Sequence, residues 1–133
     1  FGARHVSLDE LLGKSDFVAL NCPLTPETTG LIGHRELALM KPKAVIVNAA
    51  RGPVWDQDAL LASLRSGHLH AAATDVTYPE PLPRDHALLA EERLVLLPHL
   101  GSATRQTRDA MSQMSVMNLL AGLEGRDIPH RIA

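Results

Sequence analysis

Hydrophobic residues in this 133-residue chain fall into short unbroken runs, separated by polar stretches that carry helix caps and turn residues. Four runs, over 16–21, 44–47, 70–75 and 94–97, have strand length. The second, Ala44-Val45-Ile46-Val47, is the most β-branched; the third is built from small residues. Before the first run, Ser7-Leu8-Asp9-Glu10 has capping-box spacing and predicts a short helix ending near Gly13. Pro23, Pro26 and Gly30 mark a loop, and a helix over 34–40 is stopped by Pro42. Asn48 to Pro53 is a second loop. Asp56 then caps a helix with Leu60, Leu61 and Leu64 on its apolar side, ending at Gly67. A Pro-rich loop over 78–83 precedes a helical turn near 86–90. A long helix over 104–124 ends at Gly125.

Strands that are continuously apolar predict burial on both faces, as in a parallel sheet covered by helices. Alternation of strand and helix predicts right-handed crossovers and a doubly wound layer. The expected fold is therefore α/β, a parallel Rossmann-like sheet flanked by helices. Four strands are fewer than the roughly six usual for that architecture. The chain also starts at Phe1 rather than Met. It is expected to be a piece of something longer, with the front half of the sheet missing.

Composition narrows the classes. At 45% hydrophobic and 21% charged residues, the chain can bury a core and is not a disordered tail. Lys plus Arg number 13 against 15 Asp plus Glu, so no electrostatic footprint for nucleic acid or an anionic membrane exists. No apolar run approaches the roughly 18–20 residues of a membrane span. Cys22 is the single cysteine, which excludes an internal disulfide and fits a reducing, cytoplasmic setting. Aromatic residues are limited to Phe1, Phe17, Trp55 and Tyr78, so the core must be aliphatic.

Ligands of open parallel sheets bind beyond the carboxyl ends of the strands. Those ends are Asn21-Cys22-Pro23, Asn48-Ala49-Ala50-Arg51-Gly52, Asp75 and Pro98-His99-Leu100-Gly101-Ser102, with Glu80 on the loop after the third strand. Arg51 can hold a carboxylate in a two-pronged fork. His99 can move a proton near neutral pH, and a carboxylate beside it can orient it. Each residue also has an ordinary structural reading: Arg51 on the surface, His99 buried against backbone, Asp75 as a turn cap, Glu80 as a solvated loop charge. Their common location at one sheet edge favours a site. The seven histidines show no metal-ligand spacing and no metal is expected. Met111, Met114 and Met117 at helical spacing predict core or interface filling, and Cys22 a packed thiol beside a ligand. No G-x-G-x-x-G is present.

Taken in order, these segments resemble the D-2-hydroxyacid dehydrogenases. Pro23-Leu24-Thr25-Pro26-Glu27-Thr28 is similar to the family's P-L-T-x-x-T. Asn48-Ala49-Ala50-Arg51-Gly52-Pro53-Val54 is similar to N-x-x-R-G-x-x-V. Asp75-Val76, Glu80-Pro81 and Pro98-His99-Leu100-Gly101-Ser102 resemble the D-V, E-P and P-H-I-G-S motifs. Residues 75–83, with 101–104 and 118–123, look most like the glyoxylate/hydroxypyruvate reductase branch. The Pro79–Pro83 loop favours that branch over the family's cofactor-sensing corepressors, which share the Arg, Glu and His.

The resemblance implies roles. Arg51 would bind the carboxylate and carbonyl of a 2-keto acid, with Ser102 also at the substrate. His99 would give the proton, and Glu80 would hold His99. Pro23, Ala49, Asp75 and Gly101 would approach a nicotinamide cofactor, NADPH by preference with NADH possible. The partner would be a small 2-keto or 2-hydroxy acid, and the complete protein a homodimer. Residues 1–103 would be the C-terminal part of the cofactor domain, and 104–133 a helix and tail leading back to a substrate domain. Two departures stand out. The upstream glycine fingerprint is absent, and Trp55-Asp56 stands in the family's V-V-D segment. The final Arg131-Ile132-Ala133 is not a peroxisomal tripeptide.

Overall fold

The computed structural model describes residues 2–131. Phe1 and the last two residues of the C-terminal tripeptide lie outside them. The chain divides into two compact units, one through Pro98 and one from His99.

In the first unit, α1 (Leu8–Lys14) starts where the Ser7 hydroxyl accepts the Glu10 amide at 3.2 Å. Only that half of the expected capping box forms. The Glu10 carboxylate pairs instead with Arg4 at 2.6 Å and Lys14 at 3.0 Å, because two cations outcompete a backbone amide for it. The strand β1 (Phe17–Leu20) leads through a loop to α2 (His34–Leu39), and β2 (Val45–Asn48) to a short 3-10 turn, Gly52–Val54. Helix α3 (Gln57–Arg65) is capped as expected, the Asp56 carboxylate accepting the amides of Asp58 and Ala59 at 2.9 and 3.0 Å. After β3 (Ala71–Thr74), a second 3-10 turn, Ala87–Ala90, precedes β4 (Leu94–Leu96).

All four strands are parallel, in the order β1-β2-β3-β4. The register aligns Val18, Ile46, Ala72 and Leu94 in one row, and Ala19, Val47, Ala73 and Val95 in the next. The first row is buried or half-buried against the core. In the second, Ala19 and Val95 are exposed and Val47 and Ala73 half-exposed. Within this unit the helices therefore cover the face of the first row, and the second row is not enclosed by them. Strand order runs one way across the sheet, and right-handed crossovers moving one way land on one face. Helices α1, α2 and α3 accordingly lie side by side. The core is aliphatic as expected, with Leu12, Ile32, Leu37, Ile46, Leu60 and Leu64 fully enclosed and Trp55 the one aromatic among them.

The second unit is built on α4 (Arg105–Leu123), capped by the Thr104 hydroxyl accepting the Thr107 amide at 3.2 Å. It ends in a Schellman motif: Gly125 has φ +68°, Arg126 N–H donates to Ala121 O at 2.8 Å and Gly125 N–H to Gly122 O at 3.2 Å. The Asn118 carboxamide ties the tail back, accepting the His130 amide at 3.1 Å. Met111, Met114 and Met117 are about half exposed, so they do not fill a core as one of the two expectations had it. Among the described residues, no helix is long and apolar enough to cross a membrane.

Candidate active site

The carboxyl ends of β1 and β2 are shaped by side chains that turn back onto their own loops. Asn48, the last residue of β2, is fully buried. Its Oδ1 accepts the Ala50 amide at 3.0 Å and its Nδ2 donates to Arg51 O at 2.9 Å. A short amide satisfying the backbone two and three residues on is the local chemistry of an Asx turn. It brings the chain off the sheet and leaves Arg51 exposed, with Nη1 donating to Ala50 O at 2.6 Å. At the next residue, a Cβ on Gly52 would lie 2.1 Å from Thr77 O, so only glycine lets this loop press against the one after β3.

The loop after β1 is closed by Thr28. Its hydroxyl donates to Pro23 O at 2.7 Å and accepts the Thr25 amide at 2.8 Å. The Glu27 carboxyl on this loop is held below its ordinary range by the Thr25 hydroxyl and then by its own backbone amide. Backbone bonds Gly30 N to Pro53 O at 2.8 Å and Ile32 N to Val54 O at 3.1 Å stitch this loop to the one after β2. Between the two loops lies an open cleft of about 580 Å³, lined by Asn21, Cys22, Pro23, Leu24, Ala49, Ala50 and Arg51. That volume falls in the range of small-molecule sites, and the position is the one expected for parallel sheets.

At the end of β3 the Thr74 hydroxyl is buried and accepts the Val76 amide at 3.1 Å. Its one proton has two carbonyls in reach, Val76 O at 2.7 Å and Asn48 O at 2.9 Å on the neighbouring strand. Asp75 follows, half-buried. Glu80 is exposed, flanked by Pro79 and Pro81, and its Oε2 accepts the Thr77 amide at 3.4 Å. In the second unit His99 is exposed, not buried against backbone, and has φ +51°. That left-handed conformation is uncommon outside glycine, and histidine is among the residues that tolerate it best. Gly101 and Ser102 follow, both exposed, in a turn where the Ala103 amide donates to Leu100 O at 3.0 Å.

The first unit thus brings Pro23, Ala49 and Arg51 to one cleft and carries Asp75 and Glu80 after the adjacent strand. His99, Gly101 and Ser102 open the second unit. Sequence reasoning gave no role to Asn48, Thr28 or Thr74, which build these loops. The available signal was an Asn or Thr at a strand or loop end, a weak one taken alone. Among the described residues no group of three His, Cys, Asp or Glu side chains is placed to hold a metal ion.

Residues 1–101 match the profile of the D-isomer specific 2-hydroxyacid dehydrogenase, NAD binding domain. The chain belongs to this family. Glyoxylate/hydroxypyruvate reductase B of Erwinia tasmaniensis is 50% identical over 126 residues, 95% of this chain and 39% of that protein. The TT0316 protein of Thermus thermophilus superposes with a TM-score of 0.91 at 49% identity, over 96% of this chain and 41% of that one. A D-isomer specific 2-hydroxyacid dehydrogenase of Xanthobacter autotrophicus Py2, solved in complex with NADPH and MES, matches with a TM-score of 0.79 at 38% identity, over 95% of this chain and 51% of that one. The chain therefore spans about two fifths of the length of the reductase it matches. The family match carries with it a nicotinamide cofactor and an α/β fold of parallel strands, in agreement with the sheet described above. The cleft has room for a nicotinamide ring, and Pro23, Ala49 and Arg51 are among the residues that line it.

Proposed function

We propose that this chain is the part of a glyoxylate/hydroxypyruvate reductase that presents the nicotinamide and the acid-handling residues. Residues 1–103 would form the C-terminal part of its cofactor domain, and 104–133 the helix and tail that lead toward a substrate domain. The observation carrying this reading is the placement of Arg51 at the cleft that Pro23 and Ala49 line. A reduced nicotinamide, when bound, supplies the hydride that reaches the carbonyl carbon of glyoxylate or hydroxypyruvate.

The chain's own residues do the rest. The Arg51 guanidinium binds the substrate carboxylate through its planar fork and offsets charge growing on the carbonyl oxygen. His99 delivers a proton to that oxygen, giving glycolate or D-glycerate. The family resemblance gives Glu80 the role of holding His99 in orientation. Pro23, Ala49, Asp75 and Gly101 face the cofactor, and Ser102 the substrate. NADPH is the proposed cofactor, supported by the complex of the Xanthobacter relative. A homodimeric complete protein rests on the family resemblance, and a cytoplasmic setting on the single Cys22.

The test joins this chain to the rest of the Erwinia tasmaniensis reductase in place of the 126-residue segment it matches. NADPH consumption is then followed with glyoxylate and hydroxypyruvate. Turnover is expected from the joined protein and none from the 133-residue chain, which carries no glycine-rich phosphate cradle. A joined protein that folds by circular dichroism and binds NADPH, yet reduces neither acid, overturns the proposal.

A further inference from the structure

The loop over 76–80 poses a mechanical problem. Val76 and Thr77 are buried, but Tyr78, Pro79, Glu80 and Pro81 are all exposed, so burial does not hold the stretch that bears Glu80. Tyr78 itself is 67% exposed. A different device grips the chain there. Gln57, the first residue of α3, donates from Nε2 to Tyr78 O at 2.7 Å and accepts the Tyr78 amide on Oε1 at 2.9 Å. One carboxamide thus pairs with both backbone groups of a single residue, as a neighbouring strand would. Capping of α3 does not require this side chain, since Asp56 already serves the amides of Asp58 and Ala59. The same loop is approached closely by the backbone next to Arg51, where Gly52 leaves room for Thr77 and Tyr78.

We infer that Gln57 is a positioning residue whose carboxamide clasp on Tyr78 holds the Glu80 loop against the Arg51 loop. The inference rests on the functional reading of Arg51 and Glu80 given above. It adds that their relative placement is set from α3, by a residue that touches neither substrate nor cofactor. The clasp needs one donor and one acceptor at a fixed reach. Gln57→Glu keeps only the acceptor, and Gln57→Met keeps length and bulk but neither polar atom.

Two measurements separate the clasp from the function. In the full 133-residue chain, amide exchange at Tyr78 is followed by NMR. Gln57→Met should speed it about tenfold, the scale of one lost hydrogen bond, and Gln57→Glu should speed it less, since its carboxylate still accepts the Tyr78 amide while losing the bond to Tyr78 O. In the joined reductase, Gln57→Met should lower kcat by about tenfold to a hundredfold, since a misplacement near 1 Å carries that cost. Its KM for NADPH should stay within about twofold, because the cleft over β1 and β2 is untouched, and Gln57→Glu should recover part of the loss. A purely packing role would leave Gln57→Met equal to the parent. Unchanged Tyr78 exchange, or faster exchange with unchanged kcat, overturns the inference. If the unaltered joined protein does not turn over, the functional reading fails, and the Tyr78 exchange still decides whether the clasp exists.

Discussion

The buried side chain of Asn48 holds Arg51 by its own carbonyl: Nδ2 donates to Arg51 O at 2.9 Å while Oδ1 takes the Ala50 amide at 3.0 Å. The residue proposed to bind the substrate acid is thus set by a neighbour three positions back that never meets the substrate. Asn48→Leu keeps the branched shape and removes both bonds, stranding the buried Ala50 amide. The expected cost is about 1–3 kcal/mol, read as a lower urea midpoint at unchanged slope. A midpoint equal to that of the parent would show that the turn holds without its side chain.

Glycines 52 and 13 should respond to alanine in opposite senses. A Cβ at Gly52 meets the Thr77 carbonyl at 2.1 Å, backbone against backbone, and neither side can swing away. Gly52→Ala should destabilise by about 1–3 kcal/mol, the range of an overpacked site. Gly13 lies within α1, where the nearest atom to an added Cβ is Leu39 O at 3.8 Å. Gly13→Ala should stabilise by about 0.5–1 kcal/mol through helix propensity. Thermal melting of both variants decides the pair, and a stable Gly52→Ala would contradict the close approach.

Arg51→Lys should spare stability and damage catalysis. The side chain is exposed and donates to the neighbouring Ala50 O, so folding loses little. Lysine keeps the charge but not the planar fork. In the joined reductase kcat/KM for hydroxypyruvate should fall by about 10²-fold or more, with the melting temperature unmoved. Near-parental efficiency would remove Arg51 from the proposed role.

Glu36 should make α2 acid-sensitive. The Arg35 guanidinium holds its carboxyl below the ordinary value of 4.5, and Oε2 accepts the Gly33 amide at 3.1 Å. A carboxyl lowered in the folded state stabilises the protein above its ordinary value. That contribution is lost as pH falls through the lowered one. Glu36→Gln should therefore weaken the chain at neutral pH and flatten the acid side of its stability profile. Urea midpoints across that range test it, and identical slopes for parent and variant would show that Glu36 is not one of the groups involved.

The legible part of this protein is what neighbouring residues decide among themselves. Ser7 and Asp56 announced their helices because a cap needs only the amides two or three residues on. The four strands were legible as apolar runs, with ends shifted by a residue or two. Arg51, Glu80 and His99 were legible as residues of motifs placed at strand ends. The glutamate of the first cap was misread because Arg4 and Lys14 compete for it from outside the four-residue pattern.

Sequence by itself determined the element order, the parallel character of the sheet and the residues to watch at its carboxyl edge. Only the tertiary structure decided that the helices of the first unit cover one face of the sheet, since apolar runs do not record the direction in which strands are added. It alone paired Gly52 with Thr77 and Gln57 with Tyr78, contacts across more than twenty positions. Such contacts are products of strand register: once β2 and β3 lie in line from Val45 beside Ala71 to Asn48 beside Thr74, the loops beyond them must meet, whatever their local sequences prefer.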